Sequence, residues 1–401
     1  RRRMVRDESS CVRAVVRLRP LLAHELDRGE EECCEVRDAT SMLVRTAPGT
    51  RQWRQYAFDA CLPSDRSQKQ AFQESGVTSL LDSAIEGYAG TVLAYGQTGS
   101  GKTHTILGRL GQAADASSRG EDVKRDDGLV MRSAKRLFRK IDTDDAAAGA
   151  VHYTVSASFT EIYNAPGAVN ECICDLLCPD TGNLQVRYSQ KHGFFVSDLQ
   201  EVACRSAADV RAVLEAGVHN RRVGATQLNR DSSRSHALFT LRIDSERAAG
   251  DDEAGGAPAR TYGKITFVDL AGSERLKESL SEGNARKETQ AINKSLFTLG
   301  KVIAQLAQGK NARHVPYRDS KLTQLLQESF GGGALCLMVT CISPAAAHAE
   351  ESVNSLNYAQ KAMNIRNRPV VRLDEHQQLM VDLRHENAAL RRELEVYRAR
   401  F

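Results

Sequence analysis

The 401-residue chain has no run of about 18 apolar residues, so nothing in it reads as a membrane-spanning helix. Its basic start, RRRMVRDESS, is followed by no apolar stretch of the kind a secretory signal needs. Ten cysteines are scattered along it without a single Cys-x-x-Cys pair, which argues against a zinc site and for free thiols in a reducing compartment. Strong charge is missing too: a net +4 is too small by itself to imply a nucleic-acid ligand. What remains is an ordinary balance of apolar and charged residues, with enough chain for one large α/β domain or two smaller ones. The chain opens on Arg1 rather than Met and stops at Phe401 inside a helical pattern, so a piece of a longer protein is expected.

The organising stretch is AYGQTGSGKTHT, residues 94–105. Within it GQTGSGKT fits the phosphate-loop pattern G-x-x-x-x-G-K-[ST]. The apolar run 91–95 reads as a buried strand entering the loop. Gly96, Gly99 and Gly101 let the backbone approach a phosphate, the amides form an anion nest, and the next helix adds its positive end. Lys102 would reach the β- and γ-phosphates and the Thr103 hydroxyl would bind Mg²⁺.

Strands are expected over 12–18, 153–159, 237–243, 264–268 and 334–342, and helices over 68–86, 207–217 and 289–308. Residues 108–128 lack an apolar period and read as a long surface loop near the nucleotide; 165–169 look like an insertion and 247–260 like a hairpin loop. The alternation of elements predicts an α/β fold: a phosphate-loop core with a mostly parallel sheet and helices on both faces.

Two further motifs carry chemistry. ITFVD ends a strand on Asp269 where a Mg²⁺-holding acid belongs, and it continues as DLAGSE, in which the Gly272 N–H is suited to sensing a γ-phosphate. NRDSSRSH, residues 229–236, offers a serine hydroxyl as a Mg²⁺ ligand and Arg234 as a partner for a carboxylate, a latch that could gate water attack.

Together with HVPYRDSKLTQLL at 314–326, these motifs in this order resemble the kinesin motor domain, over roughly residues 12–371. The resemblance implies that Arg17, Arg19, Pro20 and His104 hold the adenine, and that Gly96, Gln97, Thr98, Gly99, Ser100, Gly101, Lys102 and Thr103 wrap the phosphates. It implies Thr103 and Ser233 as direct Mg²⁺ ligands, with Asp269 acting through water, and an Arg234–Glu274 salt bridge that closes the site. Glu274 would relay the proton from the attacking water, with Gly272, Ser233 and Arg234 beside it. The guanine-reading N-K-x-D is absent, which favours ATP.

Residues 275–321 carry ten basic residues against four acidic ones, an excess larger than that of the whole chain. The stretch matches the kinesin surface for acidic tubulin, with Lys277, Lys294, Lys301, Arg313, Tyr317, Arg318 and Lys321 as expected microtubule contacts. Departures from the family pattern are Gly128-Leu-Val-Met-Arg132, which lacks the usual Pro, the long loop at 108–128 and the insertion near Pro166.

The expected division is a motor domain at 1–363, a neck linker at 364–374 made extended by Pro369, and the start of a neck coiled coil at 375–401. Arg372 stands where many relatives have an Asn that latches the linker. Met380, Leu383, Asn387, Leu390, Leu394, Tyr397 and Phe401 fall at heptad spacing, which predicts the seam of a parallel homodimer in the full-length protein, the alternative being a single amphipathic helix docked on a globular surface. The function expected is an ATP-driven, plus-end-directed microtubule motor in the cytoplasm. The alternative is a non-motile microtubule-binding ATPase that regulates filament dynamics. Neither a nucleic-acid partner nor a membrane span is expected, and the cargo is unknown.

Overall fold

A computed structural model describes residues 10–45, 52–110, 125–146, 151–165, 170–190, 193–227, 232–247, 259–274, 284–309, 314–373, 390–391 and 394. In the main sheet the strands are β1 (Arg13–Leu18), β2 (Ala60–Leu62), β3 (Ala89–Tyr95), β4 (Val151–Tyr163), β5 (Cys172–Asp175), β6 (Val202–Cys204), β7 (His236–Arg247), β8 (Ala259–Asp269) and β9 (Ala334–Ile342). Their order is β6-β4-β7-β8-β3-β9-β1-β2, with β5 paired to the outer part of β4. The helices are α1 (Ala23–Asp27), α2 (Gln68–Glu74), α3 (Val77–Ile85), α4 (Lys102–Ile106), α5 (Leu129–Ala146), α6 (Ala207–Gln227), α7 (Asn284–Leu306), α8 (Lys321–Leu325) and α9 (Ala349–Ala362).

The sheet is mixed. From β8 through β3, β9 and β1 to β2 every pairing is parallel, and this half carries the phosphate loop. From β8 outward through β7 and β4 to β6 every pairing is antiparallel. The change of direction falls where β7 and β8 form a long hairpin with continuous register from Ala237 opposite Asp269 to Arg247 opposite Ala259. The expected parallel character therefore belongs to the nucleotide half.

Side chains on the central strands alternate between two cores, as a pleat buried on both faces requires. Val15, Val92, Ala94, Leu337, Val339 and Cys341 face the core covered by α2, α3, α5 and α6. Ala14, Val16, Leu93, Tyr95, Met338 and Ile342 face the core covered by α7, α8 and α9. The helix expected over 68–86 is two helices. Gly76 between them has φ +90, and a Cβ there would lie 2.7 Å from the Arg13 guanidinium. The sequence gives no comparable warning of the small three-stranded sheet Cys34–Val36, Ser41–Arg45 and Trp53–Ala57.

After α9 the chain runs extended along the core. Arg366–Asn367 pairs with Ser10–Cys11, and the N–H groups of Arg368, Val370 and Arg372 donate to the carbonyls of Gly332, Gly333 and Gly87 at 2.9, 3.3 and 3.0 Å. Every second amide is used, so Pro369, which has no N–H, falls where none is needed. Val371 and Leu373 bridge to Tyr88 and Thr261. Of the heptad seam, Leu390 and Leu394 are described and exposed; Met380, Leu383, Asn387, Tyr397 and Phe401 lie outside the described residues.

Asn367 anchors this strap. Its buried amide donates to the carbonyls of Ser329 (2.8 Å) and Ala334 (2.7 Å) and accepts the N–H of Gly331 (2.8 Å). Asn367→Ala strands three backbone groups, and we expect a loss of about 3 kcal/mol of unfolding free energy, read as a lower urea midpoint at unchanged slope. A midpoint within error of wild type would show that water replaces the amide at no cost.

Candidate functional site

β3 is buried along its whole length and ends directly in the glycine loop. At Gly96 (φ +145) a Cβ would sit 2.1 Å from the carbonyl of Cys341, so the loop leaves the strand in backbone contact with β9. Gly101, left-handed at φ +99, starts α4. The Lys102 ammonium is buried inside the loop and donates to the carbonyls of Gly96 (2.8 Å) and Gln97 (2.7 Å). Burial pulls its pKa below the ordinary lysine value, and nearby Asp269 opposes that shift. Gln97 and Ser100 are buried, whereas Thr98, Gly99 and Thr103 are exposed at the loop surface.

The Thr103 hydroxyl donates to Asp269 Oδ2 at 2.7 Å, so the two motifs expected to meet at a metal do meet. Asp269 Oδ1 is buried and makes no hydrogen bond. An orphaned carboxylate oxygen beside a threonine hydroxyl fits a hard cation such as Mg²⁺, which takes oxygen ligands. Behind it lies an ion network that the motifs do not reveal. Arg221 on α6 reaches Asp269 Oδ2 at 3.5 Å and Glu161 on β4 at 3.0 Å, and the Ser235 hydroxyl donates to the same Glu161 oxygen at 2.6 Å. All four side chains are buried. Arg221 lies eight residues upstream of the NRDSSRSH motif and Glu161 sits in a strand, so only the fold brings them to Asp269.

The two switch motifs are joined through backbone: the Gly272 N–H donates to the Ser233 carbonyl at 2.9 Å, and the Ser273 N–H donates to the Gly96 carbonyl at 3.1 Å. The expected Arg234–Glu274 ion pair is not formed between these described residues. Glu274 turns back onto the glycine loop and accepts the N–H of Thr98 (2.8 Å) and its hydroxyl (2.5 Å). The missing side chain at Gly272 permits this, since a Cβ there would lie 2.4 Å from both Glu274 carboxylate oxygens.

The residues expected to hold the base divide. The buried guanidinium of Arg17 donates to Gln68 Oε1 (2.8 Å) and Thr105 Oγ1 (3.0 Å), so it braces α2 against α4. Arg19 grips Glu25 of α1 through two bonds of 2.6 and 2.5 Å and also donates to the Gly99 carbonyl at 2.8 Å. The Arg19 hydrogen bonds hold the Glu25 carboxyl down at about 2, against the effect of burial. Pro20 and His104 are exposed.

On the basic stretch, Lys294 and Lys301 are exposed on α7, opposite its buried Leu299 and Ile303, and Arg318 is exposed. Lys321 is half-buried and reaches the Leu184 carbonyl at 3.5 Å. The Tyr317 hydroxyl turns inward to the Phe330 carbonyl at 2.6 Å, so much of this ring serves packing. Lys277 and Arg313 lie outside the described residues.

The model of the kinesin motor domain family matches residues 17–365. The chain belongs to the kinesin motor domain family. Among curated kinesins it is 38% identical to the kinesin-like protein KIN-12E of Arabidopsis thaliana, over 90% of this chain and 27% of that one. It is 38% identical to KIF15 of Strongylocentrotus purpuratus, over 96% and 25%. With human chromosome-associated kinesin KIF4B the figures are 37%, 91% and 27%. The chain thus spans about a quarter of the length of these kinesins. Its fold is similar to the solved structure of a fast kinesin, reported for its ATPase mechanism and its interactions with microtubules. The TM-score there is 0.78, at 32% identity over 91% of this chain and 94% of that one.

One buried side chain ties NRDSSRSH and DLAGSE to α7. His236 Nδ1 accepts the Ala271 N–H at 3.0 Å, which puts the ring proton on Nε2, 2.8 Å from Ser295 Oγ. Burial, with Arg221 and Lys102 adding to it, pushes this imidazole down to about 3. The unfolded ring binds a proton near 6.5 and the folded one does not, so stability falls as pH drops from 6.5 toward 3. The unfolding free energy of wild type relative to His236→Gln should therefore shrink over that window, by up to about 1.4 kcal/mol per pH unit. Parallel stability curves would show that the ring titrates alike in both states.

Proposed function

We propose that this chain is an ATP-hydrolysing, microtubule-stimulated motor domain whose strap, as a neck linker, biases movement toward the plus end. The observation that carries the hydrolytic part is the meeting of Thr103 with Asp269, whose second oxygen is free, inside a glycine loop that holds a buried lysine. Bound there, Mg²⁺ supplies neutralisation of phosphate charge. The chain's own groups do the rest. Lys102 exchanges its two loop carbonyls for phosphate oxygens. Gly272, freed from the Ser233 carbonyl, turns its N–H toward the γ-phosphate. Glu274 leaves Thr98 and meets Arg234, closing the site and orienting the attacking water and its proton. Each exchange replaces a hydrogen bond already present, so the cost of closure is small against the gain from a bound triphosphate.

The partner is proposed from charge. Exposed Lys294, Lys301 and Arg318 and half-buried Lys321 belong to a stretch with six more basic than acidic residues, suited to the acidic surface of tubulin. A longer chain is expected to pair through the heptads as a parallel dimer.

Glu274→Ala should keep nucleotide affinity and lose microtubule-stimulated turnover on the order of 100-fold; near-normal turnover removes Glu274 from the mechanism. Replacing Lys294, Arg313, Arg318 and Lys321 by Ala should raise the microtubule concentration for half-maximal ATPase on the order of tenfold, with the gap narrowing at high salt. Unchanged co-sedimentation at low and moderate salt would make the stretch a solvated face. Gliding of polarity-marked microtubules reads the direction, and minus-end motion overturns the plus-end proposal.

A further inference from the structure

We propose that Arg372 locks the strap to the core through its side chain, on a receptor that Glu328 and Lys264 form. Two halves of the contact can be separated. The backbone half is open to any residue: the Arg372 N–H donates to the Gly87 carbonyl, and its own carbonyl accepts the Tyr262 N–H at 2.9 Å. The side-chain half depends on the arginine itself. The Arg372 guanidinium donates to Glu328 Oε1, and Glu328 Oε2 holds Lys264 Nζ at 2.8 Å. All three side chains are about a quarter to a third exposed, so the cluster is shielded from water only in part.

The receptor joins a strand of the main sheet to the segment after α8. Lys264 sits on β8, the strand that ends in Asp269 at the nucleotide site. Glu328 lies three residues after the end of α8 (Lys321–Leu325). One carboxylate takes two cations, one from each oxygen, so Glu328 stays paired with Lys264 when the strap leaves. Release of the strap then leaves no buried carboxylate without a partner, and docking adds a second charge-assisted bond to a site already assembled. An Asn at position 372 could not reach the same carboxylate as a cation. Here the strap is held by charge as well as by backbone, and its grip should weaken with salt. That the strap drives movement rests on the motor reading; the latch itself does not.

Hydrogen exchange in the whole chain tests it. The informative amides are those of Arg368, Val370 and Tyr262, whose intrinsic rates do not change when residue 372 is replaced. At low salt Arg372→Ala should speed their exchange about fivefold, and Glu328→Gln should do the same. The double variant should be no faster than either single one, and the difference from wild type should fade at high salt. Unchanged exchange in β3 and β9 serves as the folding control. Wild-type protection in Arg372→Ala at low salt, or an effect of Arg372→Ala that Glu328→Gln fails to reproduce, overturns the latch. Loss of the motor reading would show separately, as a wild-type ATPase that microtubules do not stimulate while strap protection still depends on Arg372.

Discussion

One carboxylate holds the nucleotide half of the molecule in register. Asp269 closes β8 and touches the Thr103 hydroxyl of α4 and Arg221 of α6, with Glu161 of β4 behind. These four residues come from widely separated parts of the chain, and their charges are buried. A buried ion network is costly unless every member is satisfied, and here a single oxygen, Asp269 Oδ1, is left over. The network therefore specifies one geometry for the free oxygen and aims it where the glycine loop ends. The same carboxylate also steadies the long α6, which leads into the NRDSSRSH motif.

From that fixed point two hydrogen-bonded contacts diverge. The Gly272–Ser233 and Glu274–Thr98 bonds tie the switch motifs to each other and to the loop without a side-chain ion pair. His236 continues the path, accepting from Ala271 and donating to Ser295 of α7. A neutral, buried imidazole suits this work, since one ring nitrogen must accept while the other donates. The exposed lysines of α7 lie on the helix that this histidine holds.

Much of this was legible in the sequence because the chemistry sits in short runs. The glycine loop, the strand ending in Asp269 and the serine-arginine motif each declare themselves by local spacing, and the strand runs that flank them were readable from apolar content. Pro369 announced an extended tail. What escaped was contact at a distance. The brace that Arg17 forms carried no local signal, because Gln68 and Thr105 meet its guanidinium only after α2 and α4 pack. Arg221 and Glu161 carried no motif at all. The hairpin at 247–260 was legible, but the antiparallel pairings of β4 with β7 and β6 were not, because they join strands far apart in the chain. Gly76 split an apparently continuous helix through its backbone angle, which apolar periodicity does not record.

β3 has a consequence for mechanics. It is buried from Ala89 to Tyr95, flanked by parallel partners on both sides, and seven residues long, about 23 Å at roughly 3.3 Å per residue. Gly96 begins the nucleotide loop at one end, and Gly87 and Tyr88 receive the strap at the other. Such a strand works as a stiff spacer that neither stretches nor buckles on the scale of a bound phosphate. The separation between the glycine loop and the strap dock is then fixed by this strand. Any coupling between the two has to run around the spacer, through the helices on its faces.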